Sequence, residues 1–382
     1  MTLILNGTDN SATTPAVTGT DIDTGIYYPA ANQVAIATAG TQAMLVDSSQ
    51  NVTFAGTLTS TGYANIPNNF GFKNRIINGD IRFWQRGTSG TSVAVGTYGP
   101  DRWRVGGGNA LTLTQSTTFG TPYSLLIQAT GTNHAVGQRI EALNIQDLAG
   151  QTVTLSYKIR ADNPGTHKLL MYYAGTTNDF SAEVNFVNAS ISYTSNTVTT
   201  ITYTVTLPAN AANGLDIVFQ WYNGGASINL TAFIWNVQLE AGPNATSFDY
   251  RPYGTELALC QRYFEKSFAV ETAPANGVYS MGYISYVCFA DQWVLAAPTI
   301  LFKVNKRASP TIAFFGTTTN TWQLNDNNNA WQNQAATGTG FQGAIGTFTT
   351  GFSAGVHNNG NSGFAIGTAR MIRGDWTASA EL

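Results

Sequence analysis

The chain has 382 residues, a net charge of −3 and 10% charged residues, against about 25% in an ordinary soluble domain. Its 12% of aromatic residues and its abundant Thr and Val argue against disorder and favour short strands joined by tight turns, which predicts an all-β protein. No basic run offers a footprint for nucleic acid, and no apolar run reaches the roughly 20 residues that span a bilayer. The start lacks the features of a secretory signal, so we expect synthesis and assembly in a cytoplasm.

Residues 1–72 contain no lysine or arginine. Their apolar residues fall in four small clusters separated by turn residues, at 25–28, 34–37, 44–46 and 52–54. This pattern predicts a meander of four strands of about five residues, which is too small to bury a core alone. The segment is therefore either an arm without fixed structure or a sheet that shares its apolar faces with other copies of the chain. The regular spacing of the strands favours sharing.

Residues 73–252 alternate apolar and polar side chains along several segments, with an Asn-Gly-Gly turn before the last of them. The apolar positions are Val153, Leu155, Tyr157 and Ile159; Ile201, Tyr203, Val205 and Leu207; Leu215, Ile217, Phe219 and Trp221; and Phe233, Trp235, Val237 and Leu239. One buried face per strand is typical of a two-sheet sandwich. The length fits an antiparallel jelly roll of about 180 residues.

Short motifs lie near both ends of this region. They are Asn-Gly-Asp at 78–80, Trp-Gln-Arg-Gly at 84–87, Asp-Arg-Trp at 101–103, Trp-Asn-Val-Gln-Leu-Glu-Ala-Gly at 235–242 and Phe-Asp-Tyr-Arg-Pro at 248–252. We interpret 74–87 as a strand, a tight turn and a second strand. In this order the motifs resemble the opening and closing strands of jelly-roll modules in bacteriophage tail fibres and receptor-binding proteins, which are similar to carbohydrate-binding jelly rolls.

The resemblance implies a homotrimer with four parts. Residues 1–72 are then an N-terminal virion-attachment shaft, an intertwined β-meander of three chains that docks on a phage tail or baseplate protein. Residues 73–252 are the central jelly-roll β-sandwich, and 253–266 are one short connecting helix that Thr255 can cap. Residues 267–382 form a C-terminal β-sandwich tip that binds the receptor. The apolar stripe of the helix packs either on its own sandwich or on symmetry mates.

Glycans bind to flat aromatic faces flanked by amide, carboxylate or guanidinium groups. The segment 321–333 carries two tryptophans among many amides, and further aromatic residues lie on either side of it in the sequence. The glycan-contact candidates are Trp322, Asp326, Trp331, Tyr279, Tyr283, Arg373 and Trp376. The alternative for each tryptophan is a place in the core of a small β-domain.

We expect neither a cofactor nor a catalytic site. The three histidines and two cysteines lack metal-ligand spacing, and Cys260 and Cys288 are expected to be free thiols. The acids of the last third follow no recurrent motif; they are Glu271, Asp291, Asp326, Asp375 and Glu381. Carbohydrate-binding jelly rolls often hold a structural calcium ion, for which the resemblance makes Asp80 and Asn236 candidates. The alternative is an ion-pair cluster of Arg82, Arg86, Asp101 and Arg102.

The sequence therefore predicts a phage tail fibre, a virion protein whose tip binds host surface glycans or lipopolysaccharide by reversible, multivalent adhesion. We expect no nucleic-acid partner and no insertion into a membrane. One rival is a polysaccharide-depolymerising tail spike, which would need two carboxylates across a sugar bond. The other rival is a purely structural tail adaptor.

Overall fold

The regular secondary structure of the described residues is mostly antiparallel β-sheet, and the chain divides into two compact units, Met1–Asn69 and Phe70–Leu382. The computed structural model describes residues 4–5, 11–56, 72–87, 92–119, 122–162, 165–278, 284–287, 294–296, 299–316, 323–325, 331–333, 341–357 and 369–382. No helix in these ranges is long and apolar enough to cross a membrane.

The first unit is a six-stranded antiparallel sheet in which each strand pairs with the next one along the chain. Its strands are β1 (Ile4–Leu5), β2 (Val17–Thr18), β3 (Gly25–Tyr27), β4 (Val34–Thr38), β5 (Thr41–Val46) and β6 (Val52–Phe54). The four strands predicted from the apolar clusters are present as β3 to β6. The meander prediction is confirmed for a single chain.

The two faces of this sheet differ in burial. Tyr27, Ala35 and Ala37 are buried on one face and form a small core. The opposite face is apolar, and its register pairs Ile26 with Ile36 in one row. We call it the exposed N-terminal face; it consists of Ile26, Val34, Ile36, Met44, Val46, Val52 and Phe54. Four of these seven side chains are exposed by 37% to 51%.

The second unit begins with a sandwich of two five-stranded sheets. Its strands are β7 (Arg104–Gly107), β8 (Thr112–Ser116), β9 (Ser124–Gly131), β10 (Asn133–Glu141), β11 (Thr152–Ala161), β12 (Thr166–Tyr173), β13 (Val184–Ser192), β14 (Thr199–Thr206), β15 (Gly214–Tyr222) and β16 (Ile228–Ala241). The first sheet has the order β13-β12-β15-β10-β7 and the second β14-β11-β16-β9-β8. One core cluster of apolar side chains fills the space between them, as the alternation predicts.

Strand β16 departs from the predicted alternation. Asn236 has a φ of +51°, and the register against β11 shifts at this point, which is a β-bulge. Val237 and Leu239 belong to the core as predicted. Phe233 and Trp235 do not, because the bulge turns them to the outer side, where both rings pack against Phe119. The prediction of one shared face for these four residues was wrong.

The predicted hairpin at 74–87 is also wrong, because these residues form turns and contain no strand. Asn78 and Ile81 have φ values of +58° and +61°, which a regular ladder does not accommodate. The Asn78 amide donates to two carbonyl oxygens of the surrounding loop. The main chain pairs instead with β16, since the Arg75 amide donates to the Leu239 carbonyl at 2.8 Å.

Helix α1 (Tyr253–Gln261) is shorter than the predicted helix and begins after Pro252 without a side-chain cap. Phe264–Lys266, predicted as its last turn, is strand β17. The helix packs on its own chain, since Cys260 shares a buried cluster with Ile77 and Phe83. Burial raises the pKa of the Cys260 thiol well above its ordinary value, and the thiol is free as expected.

The other strands of the described chain are mostly short. They are β18 (Ile284–Val287), β19 (Val294–Ala296), β20 (Ile300–Leu301), β21 (Thr311–Phe315), β22 (Gln323–Asn325), β23 (Trp331–Asn333), β24 (Phe341–Phe348), β25 (Gly351–His357), β26 (Ala369–Arg373) and β27 (Asp375–Ser379). Their sheets have the orders β17-β27-β21, β18-β26-β22-β23 and β19-β25-β20, with β24 on β25. The predicted division of this unit into sandwich, connecting helix and tip stays a prediction.

Candidate functional site

The predicted glycan contacts divide into three groups by their place in the structure. Trp322, Asp326, Tyr279 and Tyr283 lie outside the described residues. Trp331 and Arg373 lie on described strands. Trp376 is the one candidate whose side chain is described.

Trp331 and Arg373 belong to one small sheet. Gln323 pairs with Arg373 on one side and with Asn333 on the other, and Asn325 pairs with Trp331. Because a strand alternates its faces, these five positions share one face of the sheet. We call it the hairpin face. Two parts of the segment 321–333 are thus paired strands, β22 and β23.

Trp376 is a core residue. It is 4% exposed, and its ring lies 5.3 Å from Phe352 and 5.6 Å from Phe302 between centroids. A buried indole offers no face to a sugar. The alternative place in the core, which the sequence left open, is correct for this tryptophan.

Two of the acids considered for catalysis have structural roles. Asp375 is 1% exposed and accepts a hydrogen bond from the Ser267 hydroxyl at 2.6 Å. Glu381 forms ion pairs with Arg86 and Arg102. Of the expected cluster of Arg82, Arg86, Asp101 and Arg102, the Arg86–Asp101 pair forms at 3.5 Å.

The calcium candidates do not fit a calcium ion. Calcium takes six to eight oxygen ligands, several of them charged. The Asp80 carboxylate is instead neutralised by Arg82, whose Nε donates to it at 2.6 Å. Asn236 donates to the Tyr250 hydroxyl, and its own buried Oδ1 has no partner among the described residues. Nor do the described residues contain any group of three or more acidic, His or Cys side chains that could hold a metal.

The outer face of the first sheet of the sandwich combines features that the sequence candidates lack. Ala135, Leu170 and Val218 point away from the core and are nevertheless buried, at 1%, 7% and 9% exposure. Gly106 and Gly137 complete this apolar strip, which we call the floor. A Cβ at Gly137 would lie 2.6 Å from the Ile217 carbonyl oxygen, so only glycine fits there. The floor crosses β12, β15, β10 and β7.

On one side of the floor stands a row of amide, hydroxyl and ammonium groups, the amide wall. Gln220 donates to the Asn133 side chain at 2.9 Å, which holds both amides in place. Lys168 lies beside Gln220 in the register and donates to the Ser190 hydroxyl at 2.8 Å. Tyr222 is 49% exposed at the end of β15 and offers a phenol ring at the rim.

Two acids and two arginines lie on the other side of the floor. We call this group the charged wall. Asp216 is fully buried, and its Oδ2 accepts from Arg104 at 2.9 Å and from Arg139 at 3.3 Å. Arg139 also lies 3.7 Å from Glu183. Oδ1 of Asp216 and Oε2 of Glu183 are buried and lack a hydrogen-bond partner among the described residues. Burial and the nearby Asp216 raise the pKa of Glu183 against the opposing arginines.

Sequence reasoning missed this face, although a signal for it was present. The inward residues of β15 were identified correctly, and the outward residues between them are Asp216, Val218, Gln220 and Tyr222. This run of acid, aliphatic, amide and phenol side chains is unusual for an outward face. Its partners come from β10 and β12, and their register cannot be read from the sequence.

No protein-family model and no curated protein matches the chain. Among solved structures, a CBM4 module is 19% identical over 43% of this chain and 98% of its own, with a TM-score of 0.30. The N-terminal cellulose-binding domain of Cellulomonas fimi β-1,4-glucanase C is 20% identical over 41% of this chain and all of its own, with a TM-score of 0.27. The enzymatically active domain of bacteriophage CBA120 tailspike protein 4 is 17% identical over 44% of this chain and 21% of its own, with a TM-score of 0.26.

Proposed function

We propose that this chain is a glycan-binding tail fibre of a bacteriophage, a virion protein that attaches the particle to its host by reversible adhesion without turnover. The glycan-binding part of this proposal is supported by the arrangement of side chains on the outer face of the first sheet. Its buried apolar floor anchors the strands that carry the two walls, and the walls supply donors and acceptors for the hydroxyl groups of a sugar. Tyr222 at the rim adds an exposed ring for stacking.

Binding by this face predicts that two wall variants weaken adhesion. Tyr222→Ala removes the exposed ring, and Gln220→Ala removes an amide that Asn133 holds in place. Each change should reduce affinity about tenfold, the equivalent of about 1.4 kcal/mol. The measurement is the retention of fluorescently labelled full-length protein on host cells and on a printed glycan array.

The matched control for these variants is Thr202→Ala. Thr202 is exposed on β14 and belongs to the second sheet, so its loss should leave binding unchanged. Wild-type protein that binds neither the cells nor any glycan of the array would refute the proposal. If Thr202→Ala and Tyr222→Ala reduce affinity equally, the glycan contact does not lie specifically on the first sheet.

We further propose that the hairpin face, within the C-terminal tip, contributes a second contact with the host glycan. The positions of this face are occupied by Gln, Asn, Trp, Asn and Arg. These are residue types that commonly bind sugars. Two binding faces on one chain would act together through their effective concentration.

The exposed N-terminal face supports assembly into a homotrimer through the first unit, which we propose also docks on the phage tail or baseplate. Seven apolar side chains on one sheet face form an unusual surface for a free subunit. A carboxylate within this face should prevent its burial. Ile36→Asp is therefore expected to convert the assembled species to monomer at micromolar concentration, as measured by mass photometry.

Val198→Asp is the control for the assembly experiment, because Val198 is also exposed, by 46%, but lies in the sandwich unit. This variant should remain assembled. A wild-type protein that is monomeric at micromolar concentration would contradict the trimer.

A further inference from the structure

We propose that the charged wall makes the sandwich face selective for neutral glycans with a free vicinal diol, a pair of hydroxyl groups on adjacent carbons. The inference rests on the proposed glycan binding and adds the chemical group that is recognised. It is carried by Asp216 and Glu183, each of which has a buried oxygen that accepts no hydrogen bond from the described residues.

The first step concerns the two carboxylates. Asp216 is held by two guanidinium groups on the same oxygen, Oδ2, so that Oδ1 is left over. Oε2 of Glu183 likewise accepts no hydrogen bond, although Nη2 of Arg139 lies 3.7 Å from it. A buried acceptor without a hydrogen bond is costly, so a donor from outside the described residues would stabilise both oxygens. Hydroxyl groups of a ligand are donors of this kind.

The second step concerns the spacing of the two acceptors. Nε of Arg139 contacts Asp216 and Nη2 of the same guanidinium lies near Glu183. The Arg139 guanidinium therefore lies next to both carboxylates. Two acceptors in this arrangement match two donors on adjacent carbons, whereas a single hydroxyl group would leave one oxygen unpaired.

The third step concerns charge. Asp216 and Glu183 face Arg104 and Arg139, and the four formal charges sum to zero. A carboxylate on the ligand would meet the unpaired oxygens of two acids, and an ammonium group would meet two arginines. A hydroxyl group can donate to a carboxylate and accept from Arg104, which is partly exposed. The wall therefore favours an uncharged ligand that both donates and accepts.

The test compares polysaccharides that differ in their diols. Soluble xylan, mannan and dextran have vicinal diols in their internal residues, whereas curdlan oligosaccharides have none there. The full chain should be retained by at least one of the first three and not by the curdlan oligosaccharides. Periodate oxidation followed by borohydride reduction cleaves the diols and should abolish retention.

The protein variants for this test are Asp216→Asn and Glu183→Gln, which replace an acceptor oxygen by a donor amide. Each should lower the affinity measured by titration calorimetry at least tenfold. Glu183 is 28% exposed, so its variant should keep the fold even if that of Asp216 does not. Asp179→Asn is the control, because this exposed acid of the same loop accepts from the Ser181 amide and should leave affinity unchanged.

The possible results separate the two proposals. Equal binding of curdlan oligosaccharides and dextran, or wild-type affinity in both acid variants while Tyr222→Ala weakens binding, would overturn the diol selectivity and leave glycan binding standing. Wild-type protein that binds none of the polysaccharides and no host cell would overturn both.

Discussion

Replacing Glu381 by alanine is expected to lower the free energy of unfolding by about 3–5 kcal/mol. The Glu381 carboxylate pairs with Arg102, whose side chain is 1% exposed, and with Arg86 at 3.0 Å. Burial alone would lower the pKa of Arg102, but Glu381 raises it above its ordinary value. Without Glu381 a buried guanidinium would keep its charge and lose its main acidic partner. Urea denaturation of the full chain at neutral pH measures the change.

Asp147→Ala is the matched control for this prediction. Asp147 also pairs with an arginine, Arg75, at 2.6 Å, but its side chain is 55% exposed. Loss of an exposed pair should cost less than about 1 kcal/mol. Equal effects of the two variants would show that the Glu381 pair is no more than a surface contact.

Further hydrogen bonds hold the last residues of the chain in place. Arg307 donates to the carbonyl oxygens of Ala380 and Glu381 at 2.7 and 2.9 Å. Tyr98 and Arg139 donate to the Leu382 carbonyl at 2.8 and 3.1 Å. Arg139 is also part of the charged wall, so the position of this wall depends on the docked segment.

The sequence predicted most of the sandwich because period-two alternation is a local property of each strand. Along β11 and β15 the predicted inward residues are buried, for example Leu155 and Phe219. The prediction was wrong where one backbone angle changes the pattern. Asn236 turns Phe233 and Trp235 outward, and Ile81, a β-branched residue with a positive φ, has no sequence signal.

The candidate site was less predictable for a different reason. Sequence spacing suggested tryptophans as sugar platforms, but the side chain of Trp376 fills a core. The outer sheet face instead depends on which strands are neighbours. Asp216 belongs to the charged wall because Arg104 and Arg139 contact it. Both arginines are far from it in the chain and reach it only through the register of β15 with β10 and the pairing of β10 with β7.

Acidification is expected to destabilise the protein through His167. This imidazole lies in the sandwich core, where its Nε2 contacts the Tyr157 hydroxyl at 2.6 Å. Burial lowers its pKa from 6.5 to about 3. Between these values the unfolded chain binds a proton that the folded chain does not, so the stabilising contribution is fully present above pH 6.5 and is lost as the pH falls. At about 1.4 kcal/mol per pH unit, the loss from pH 6.5 to 4 is about 3 kcal/mol.

Asp101 acts in the opposite direction, so the wild-type curve alone does not isolate His167. Burial raises the pKa of Asp101 to about 6 despite the neighbouring Arg86, and the folded protein therefore gains stability as the pH falls from about 6 to 4. His167→Gln keeps a partner for Tyr157 and removes the titrating group. Its deficit in unfolding free energy relative to the wild type should shrink by about 3 kcal/mol between pH 6.5 and 4. Tyr157→Phe retains the imidazole, so its deficit should stay constant over the same range. A His167→Gln deficit that is equally constant would show that the buried imidazole takes up its proton without unfolding.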